Sequence, residues 1–164
     1  VIGARLGTAA VAMSLSVLQA HAACPMELAV YGDKTGVAGI DFRPTGENAV
    51  VTNSFKMVMD SDVVLDGIVM WTQEEPRPNA LVSRNCPEGD VTGEEYAACT
   101  LWQGVVYAVD EKGEIGLLPA EGSPAPARLI LADIGPALRA SNAFGEGGFT
   151  KVPFDMFELK GCQE

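Results

Sequence analysis

The chain has 164 residues, with 22 acidic side chains against 11 basic ones and a single histidine, for a formal net charge of −11. A field of that sign repels phosphate backbones and anionic lipid, which argues against nucleic-acid binding and against adsorption to acidic membranes. It fits a basic partner, a cation or plain solubility.

The first 22 residues place Arg5 before an apolar run from Leu6 to Leu18 and end in Ala20-His21-Ala22. This is the pattern of a secretory leader with a small-x-small cleavage site. The run holds about thirteen residues where a membrane-spanning helix needs roughly twenty. We therefore read 1–22 as a signal peptide, 23–164 as one disulfide-stapled globular domain, and the destination as periplasmic or secreted, with no stable membrane span after cleavage. The 142 residues of that domain can bury a real core. They carry ten basic and 22 acidic side chains, a net charge of −12.

Four cysteines follow such a leader: Cys24, Cys86, Cys99 and Cys162. An even count bound for an oxidising compartment predicts two bridges. Three connectivities exist, and the spacing favours Cys86 with Cys99 and Cys24 with Cys162. In the chain-entropy model the short loop contributes about 3 kcal/mol and the long one nearer 5.

Most of the domain reads as short strands and turns. Over 51–59, Val51, Phe55, Met57 and Met59 share one face while Thr52, Ser54 and Lys56 share the other, the period of a half-buried strand. Val63, Leu65, Val69 and Trp71 continue the pattern, and Asp66-Gly67 within it reads as a bulge in preference to a hairpin turn. The prolines of 73–80 and 120–127 mark loops. Alternating Val105, Tyr107 and Val109, the turn Glu111-Lys112-Gly113 and the return from Ile115 to Leu118 spell a hairpin. Residues 128–132, apolar from Leu129 to Ala132, are read as a strand buried on both faces. A short helix is predicted over 135–141 with Pro136 at its first position. The stretch 144–149 is glycine-rich loop, and Phe154, Phe157 and Leu159 are expected to enter the core. The fold class is mainly β, an antiparallel sandwich or barrel-like domain with one short helix near 135–141; α+β is the alternative.

The chemistry is constrained by what the domain lacks. Its one histidine, His21, lies in the leader, which removes histidine-based triads, histidine general-base chemistry and the usual zinc, copper and non-haem iron sites. Cysteines held in bridges supply neither ligands nor nucleophiles. Asp60, Asp62 and Asp66 are weak calcium candidates; an EF-hand counted from Asp60 would need glycine where Leu65 stands and an acid where Trp71 stands. Two carboxylates flanking a sugar bond would suffice for a glycosidase, with Trp71 or Trp102 as a platform, although each sits in an apolar strand pattern typical of core.

No catalytic residue, metal or cofactor is assigned. The stapled stretch 86–99 carries Glu88, Asp90, Glu94, Glu95 and Tyr96 as a possible interaction loop. The leading expectation is an exported, acidic, non-catalytic module that binds a basic exported protein or a small ligand. A carboxylate-dependent glycan hydrolase and a calcium-stabilised structural protein are the alternatives.

Overall fold

The computed structural model describes residues 23–46, 50–74, 76–89 and 92–164; the leader and Asp90 lie outside them. After a 3-10 turn at Met26–Leu28, the chain lays down β1 (Ala29–Asp33), β2 (Ala38–Arg43), β3 (Val51–Met59), β4 (Val64–Trp71) and β5 (Pro78–Ser83) as an antiparallel meander. Helix α1 (Gly93–Cys99) leads into β6 (Thr100–Val109) and a short β7 (Ile115–Leu117). β8 (Arg128–Leu131), α2 (Ile134–Ala140) and β9 (Met156–Cys162) complete the chain. β5 pairs with β6, β6 with β8, β8 with β9 and β9 with β1. The eight strands thus close into an antiparallel barrel, with β7 as an extra strand. Closure removes the edges that an open sheet of this kind would expose.

Strand alternation decides what fills the barrel. Phe55, Met57 and Met59 of β3, Leu65 and Val69 of β4, and Ala80 and Val82 of β5 all point inward and are buried. Lys56 and Asp66 pair across the outer face. An apolar inside and a polar outside is the reverse of a barrel that spans a membrane around an aqueous lumen. Eight strands leave an interior just wide enough for side chains to fill, and here aromatic rings do so: Tyr31 meets Phe42 edge-on at 5.9 Å, and Phe42 lies 5.4 Å from Phe55.

Both ends are stoppered. At the lower end, where Cys24 joins Cys162, the loop 118–127 crosses the mouth and buries Leu118. Inward-facing polar groups hold that loop. The Tyr31 hydroxyl donates to the Pro126 carbonyl at 2.9 Å and Asn53 Nδ2 to that of Pro119 at 3.1 Å. Glu27 accepts from the Gly122 N–H, which keeps its carboxyl below the usual range, whereas burial pushes the Tyr31 hydroxyl up. At the upper end, Ile134 and Leu138 of α2 and Phe149 are wholly buried in the same core cluster.

Asp33 fastens the β1–β2 hairpin. Its carboxylate accepts from the N–H groups of Thr35, Val37 and Ala38 at 3.0, 2.8 and 3.0 Å, and from the Thr35 hydroxyl. Burial alone would raise its pKa, but the hydrogen bonds from Ala38, Thr35 and Val37 together carry it below the ordinary carboxylate value. A depressed folded-state pKa adds stability that is full above the unfolded value near 3.9 and is lost as pH falls through the folded one. Asp33→Asn is therefore expected to destabilise the protein by about 1–3 kcal/mol at pH 7, with the gap to wild type narrowing below about pH 4. Urea melts at pH 7, 5, 4 and 3 check this, and parallel pH curves for the two proteins would contradict it.

Several sequence expectations need correction. Asp66-Gly67 is neither bulge nor turn, because β4 pairs in unbroken register there with β3 (Lys56↔Asp66, Phe55↔Gly67) and with β5 (Gly67↔Val82). The glycine answers to packing: a Cβ at Gly67 would lie 2.1 Å from the Phe55 ring. The register shift on β3 falls instead between Val51 and Asn53. Residues 78–80 are strand and not loop, since proline is tolerated at a strand's first position. β8 alternates inside and outside and is not buried on both faces. The helix near 135–141 runs Ile134–Ala140 with Asp133 at its N-cap, so Pro136 sits in its first turn but not at its first position. Phe157 reaches the core, Leu159 packs against it, and Phe154 stays 52% exposed beneath the Lys34 ammonium.

Candidate functional site

The predicted interaction loop folds into more than a staple. Cys86 bonds Cys99, and within that ring the chain forms α1. The Thr92 hydroxyl accepts from the Glu95 N–H while the Glu95 carboxylate accepts from the Thr92 N–H, a complete capping box. Those bonds from Thr92 hold the Glu95 carboxyl below its usual range. The Thr92-x-x-Glu95 pattern was the available signal for this helix.

β5 delivers Arg84 to the base of the same loop, where its N–H donates to the Cys99 carbonyl at 3.0 Å. Its guanidinium reaches the other way and donates through Nη2 to the Gly147 carbonyl at 3.2 Å. The segment it holds is tightly wound: the Gly145 N–H donates to the Phe149 carbonyl at 2.9 Å, the Phe149 N–H donates to the Ala143 carbonyl at 3.2 Å, and a Cβ on Gly148 would fall 1.8 Å from the Ala143 carbonyl oxygen. Between these two walls lies an open cleft of about 470 Å³, with Arg84, Asn85 and Pro87 below, Glu95 and Ala98 on the α1 side, and Asn142 and Ala143 opposite. A second hollow of about 310 Å³ shares Ala98 and Asn142 with it and runs between α1 and α2 over Leu101. Together they form one groove across the upper end of the barrel.

Of the predicted loop residues, Glu95 lines this groove. Glu88 and Glu94 are exposed, and Tyr96 sits half-buried on the other side of α1 beside Leu81 and Gln103. Arg84, Asn85 and Asn142 gave no signal as site residues in the sequence, because isolated polar residues in loops carry no periodic signature.

The groove offers a guanidinium, two amides, one carboxylate already engaged in a helix cap, and the hydroxyls of Thr100 and Ser141, which donate to the Tyr96 and Leu138 carbonyls at 2.8 and 2.7 Å; among the described residues no second acid lines it opposite the first. Neither tryptophan lines it: Trp102 points into the barrel with its indole N–H on the Ala132 carbonyl at 3.0 Å, and Trp71 ends β4, 36% exposed. The expectation that both tryptophans are core therefore holds for Trp102 alone.

The calcium candidates do not converge. Asp60 pairs with Lys151 at 2.8 Å and Asp62 occupies the hairpin turn with positive φ, while Asp66 sits in mid-strand beside Lys56. Among the described residues, no group of three or more histidine, cysteine or acidic side chains could hold a metal ion.

Fold and site thus define a small closed β-barrel, filled with side chains and stapled by two disulfides, that carries a groove of mixed polar and apolar lining at one end. No protein-family model, curated protein or solved structure matches the chain. The two disulfides are compatible with an extracellular location, as is the finding that no helix among the described residues is long and apolar enough to cross a membrane.

Proposed function

We propose that this is a non-catalytic binding module of the periplasm or the secreted fraction, delivered by the leader 1–22, which takes a polypeptide segment of a basic partner protein into the groove between α1 and α2. The observation that carries this reading is the filled barrel. With its interior packed and both mouths stoppered, binding falls to the outer surface, where the lining of this groove mixes amides, one cation and small apolar side chains as a peptide backbone requires. The disulfide and the capping box pre-order one wall, which lowers the entropic cost of binding. The net charge of −11 and the outward Glu88 and Glu94 favour a basic partner and would speed its encounter.

Ala98, exposed on the α1 wall and shared by both hollows, is the position for a test. Immobilised wild-type protein is expected to retain a basic protein from the exported fraction of its source cells. Ala98→Arg, which fills the groove with a bulky cation, should lose that capture while melting at the same temperature. Equal capture by both proteins would remove the groove from the reading, and retention of no basic protein would remove the reading.

A further inference from the structure

The opposite end of the barrel carries an unfinished strand. β7 pairs with β6 through Tyr107↔Leu117, Ala108↔Gly116 and Val109↔Ile115, and among the described residues no strand pairs with its other side. It occupies the side of β6 that β5 has already left, since the β5 pairing stops at Asn79↔Val105. The hairpin closes with the Asp110 N–H on the Glu114 carbonyl at 3.0 Å. Antiparallel alternation from that pair turns the Gly116 amide toward β6 and the N–H and C=O groups of Ile115 and Leu117 outward. Their side chains lie on the outer face opposite Val109 and Tyr107, 67% and 38% exposed. Soluble proteins blunt such an edge by keeping it very short or with a charged side chain, proline or a bulge; β7 is short, at three residues, but carries no charge, proline or bulge.

A hollow of about 290 Å³ runs beside the strand, with Pro119 and Pro126 as its apolar wall and Asp110 and Glu114 at its hairpin end. Asp110 Oδ1 is spent on the N–H groups of Lys112 and Glu114, while the Glu114 side chain is exposed. At the other end of the edge, Arg77 donates to the Tyr107 hydroxyl at 3.0 Å.

We infer that β7 is a strand-addition site for an extended segment of a basic polypeptide. Such a segment hydrogen-bonds through its main chain to Ile115 and Leu117 and sets an apolar side chain against them. It places a lysine or arginine beside Glu114 and Asp110. Main-chain pairing supplies the affinity in this mode, and alternate side chains supply the choice of segment. A second copy of this chain is the poorer occupant, because pairing two β7 edges would bring acidic hairpins of two strongly negative molecules together. The site is separate from the groove at the α1–α2 end and stands without it.

The probe is an acetylated, amidated hexapeptide of alternating lysine and valine, titrated into ¹⁵N-labelled protein at 150 mM salt. Shift changes are expected to concentrate at 105–119, with slowed hydrogen exchange at the Ile115 and Leu117 amides. Ile115→Lys/Leu117→Lys, at two exposed positions, should weaken binding at least tenfold without moving the melting temperature. The same peptide N-methylated at alternate amides should bind at least tenfold more weakly, and Ala98→Arg should leave binding unchanged. Equal binding of the methylated peptide, or shifts spread over the acidic surface and indifferent to the lysine substitutions, would overturn strand addition. A concentration-dependent dimer abolished by those substitutions would overturn the basic segment in favour of a second copy.

Discussion

Replacing Cys24 and Cys162 together by serine is expected to cost about 5 kcal/mol of folding stability, against about 3 kcal/mol for the same change at Cys86 and Cys99. The difference comes from the unfolded chain. The first bridge spans 138 positions and the second 13, so opening the first releases far more conformational freedom. The first also lies at the barrel's costliest seam, where β1 meets β9 (Ala29↔Cys162) and the two ends of the described chain must find each other. Hydrogen bonds already assist there: Gln163 donates its N–H to the Leu28 carbonyl at 2.8 Å and its side-chain amide to that of Phe42 at 2.6 Å. Against the roughly 5–15 kcal/mol of an ordinary domain, losing the long bridge leaves a barrel close to unfolding at 37 °C. Urea unfolding of the three proteins, followed by the fluorescence of buried Trp102, gives the ranking. A larger loss from opening Cys86–Cys99 would show that the short loop carries strain or packing that chain entropy does not describe.

The two bridges also serve different levels of structure. Cys24–Cys162 secures the closure of the barrel and so the rigidity of the platform. Cys86–Cys99 acts locally: it returns the chain from the top of β5 to the top of β6 and sets α1 beside Arg84 and the 142–149 segment. Opening it is expected to disorder one wall of the groove while the sheet stays intact, which separates loss of binding from loss of fold.

How far the sequence could be read follows from the range of each physical signal. Period-two alternation is local and strong, so β3, β4 and the β6–β7 hairpin were legible as strands. Barrel closure was not, because pairing β5 with β6 across the stapled loop and β1 with β9 across nearly the whole chain leaves no local trace. The cysteine spacing was the one long-range clue, and it placed the chain ends together. Errors arose where one residue type answers to two causes. A glycine inside a strand can mark a bulge or a close approach, and the neighbour that decides lies on another strand. Phe149 and Phe154 are five residues apart in similar surroundings, yet one is wholly buried and the other half exposed, because the turn through Gly145 to Gly148 aims only Phe149 at the core. The acids of the stapled loop were conspicuous in sequence. The Arg84 guanidinium that joins the groove's two walls was not, since its partner is a backbone carbonyl 63 positions away.

Gly67 supplies the second large effect and a direct test of that packing argument. Its inward position on β4 is covered by the Phe55 ring from the neighbouring strand, 2.1–2.4 Å from where a Cβ would stand. Gly67→Ala must therefore displace a buried aromatic in a close-packed interior, an overpacking cost of about 2–3 kcal/mol. Phe55→Ala alone is expected to cost about 3–5 kcal/mol as the ring's contacts, including those with Phe42, are lost. If the glycine exists to admit the ring, the two effects are not independent. In the Phe55→Ala background the methyl of Gly67→Ala enters vacated space, and the smaller unfolded-state entropy of alanine gives about 0.5–1 kcal/mol of stabilisation in place of a loss. The sign of the Gly67 effect thus reverses with the residue at 55, a coupling of about 2.5–4 kcal/mol in a double-mutant cycle. Urea unfolding of the four proteins at one pH measures it. Additive losses would mean that Gly67 is required by its own backbone geometry and not by the ring across from it.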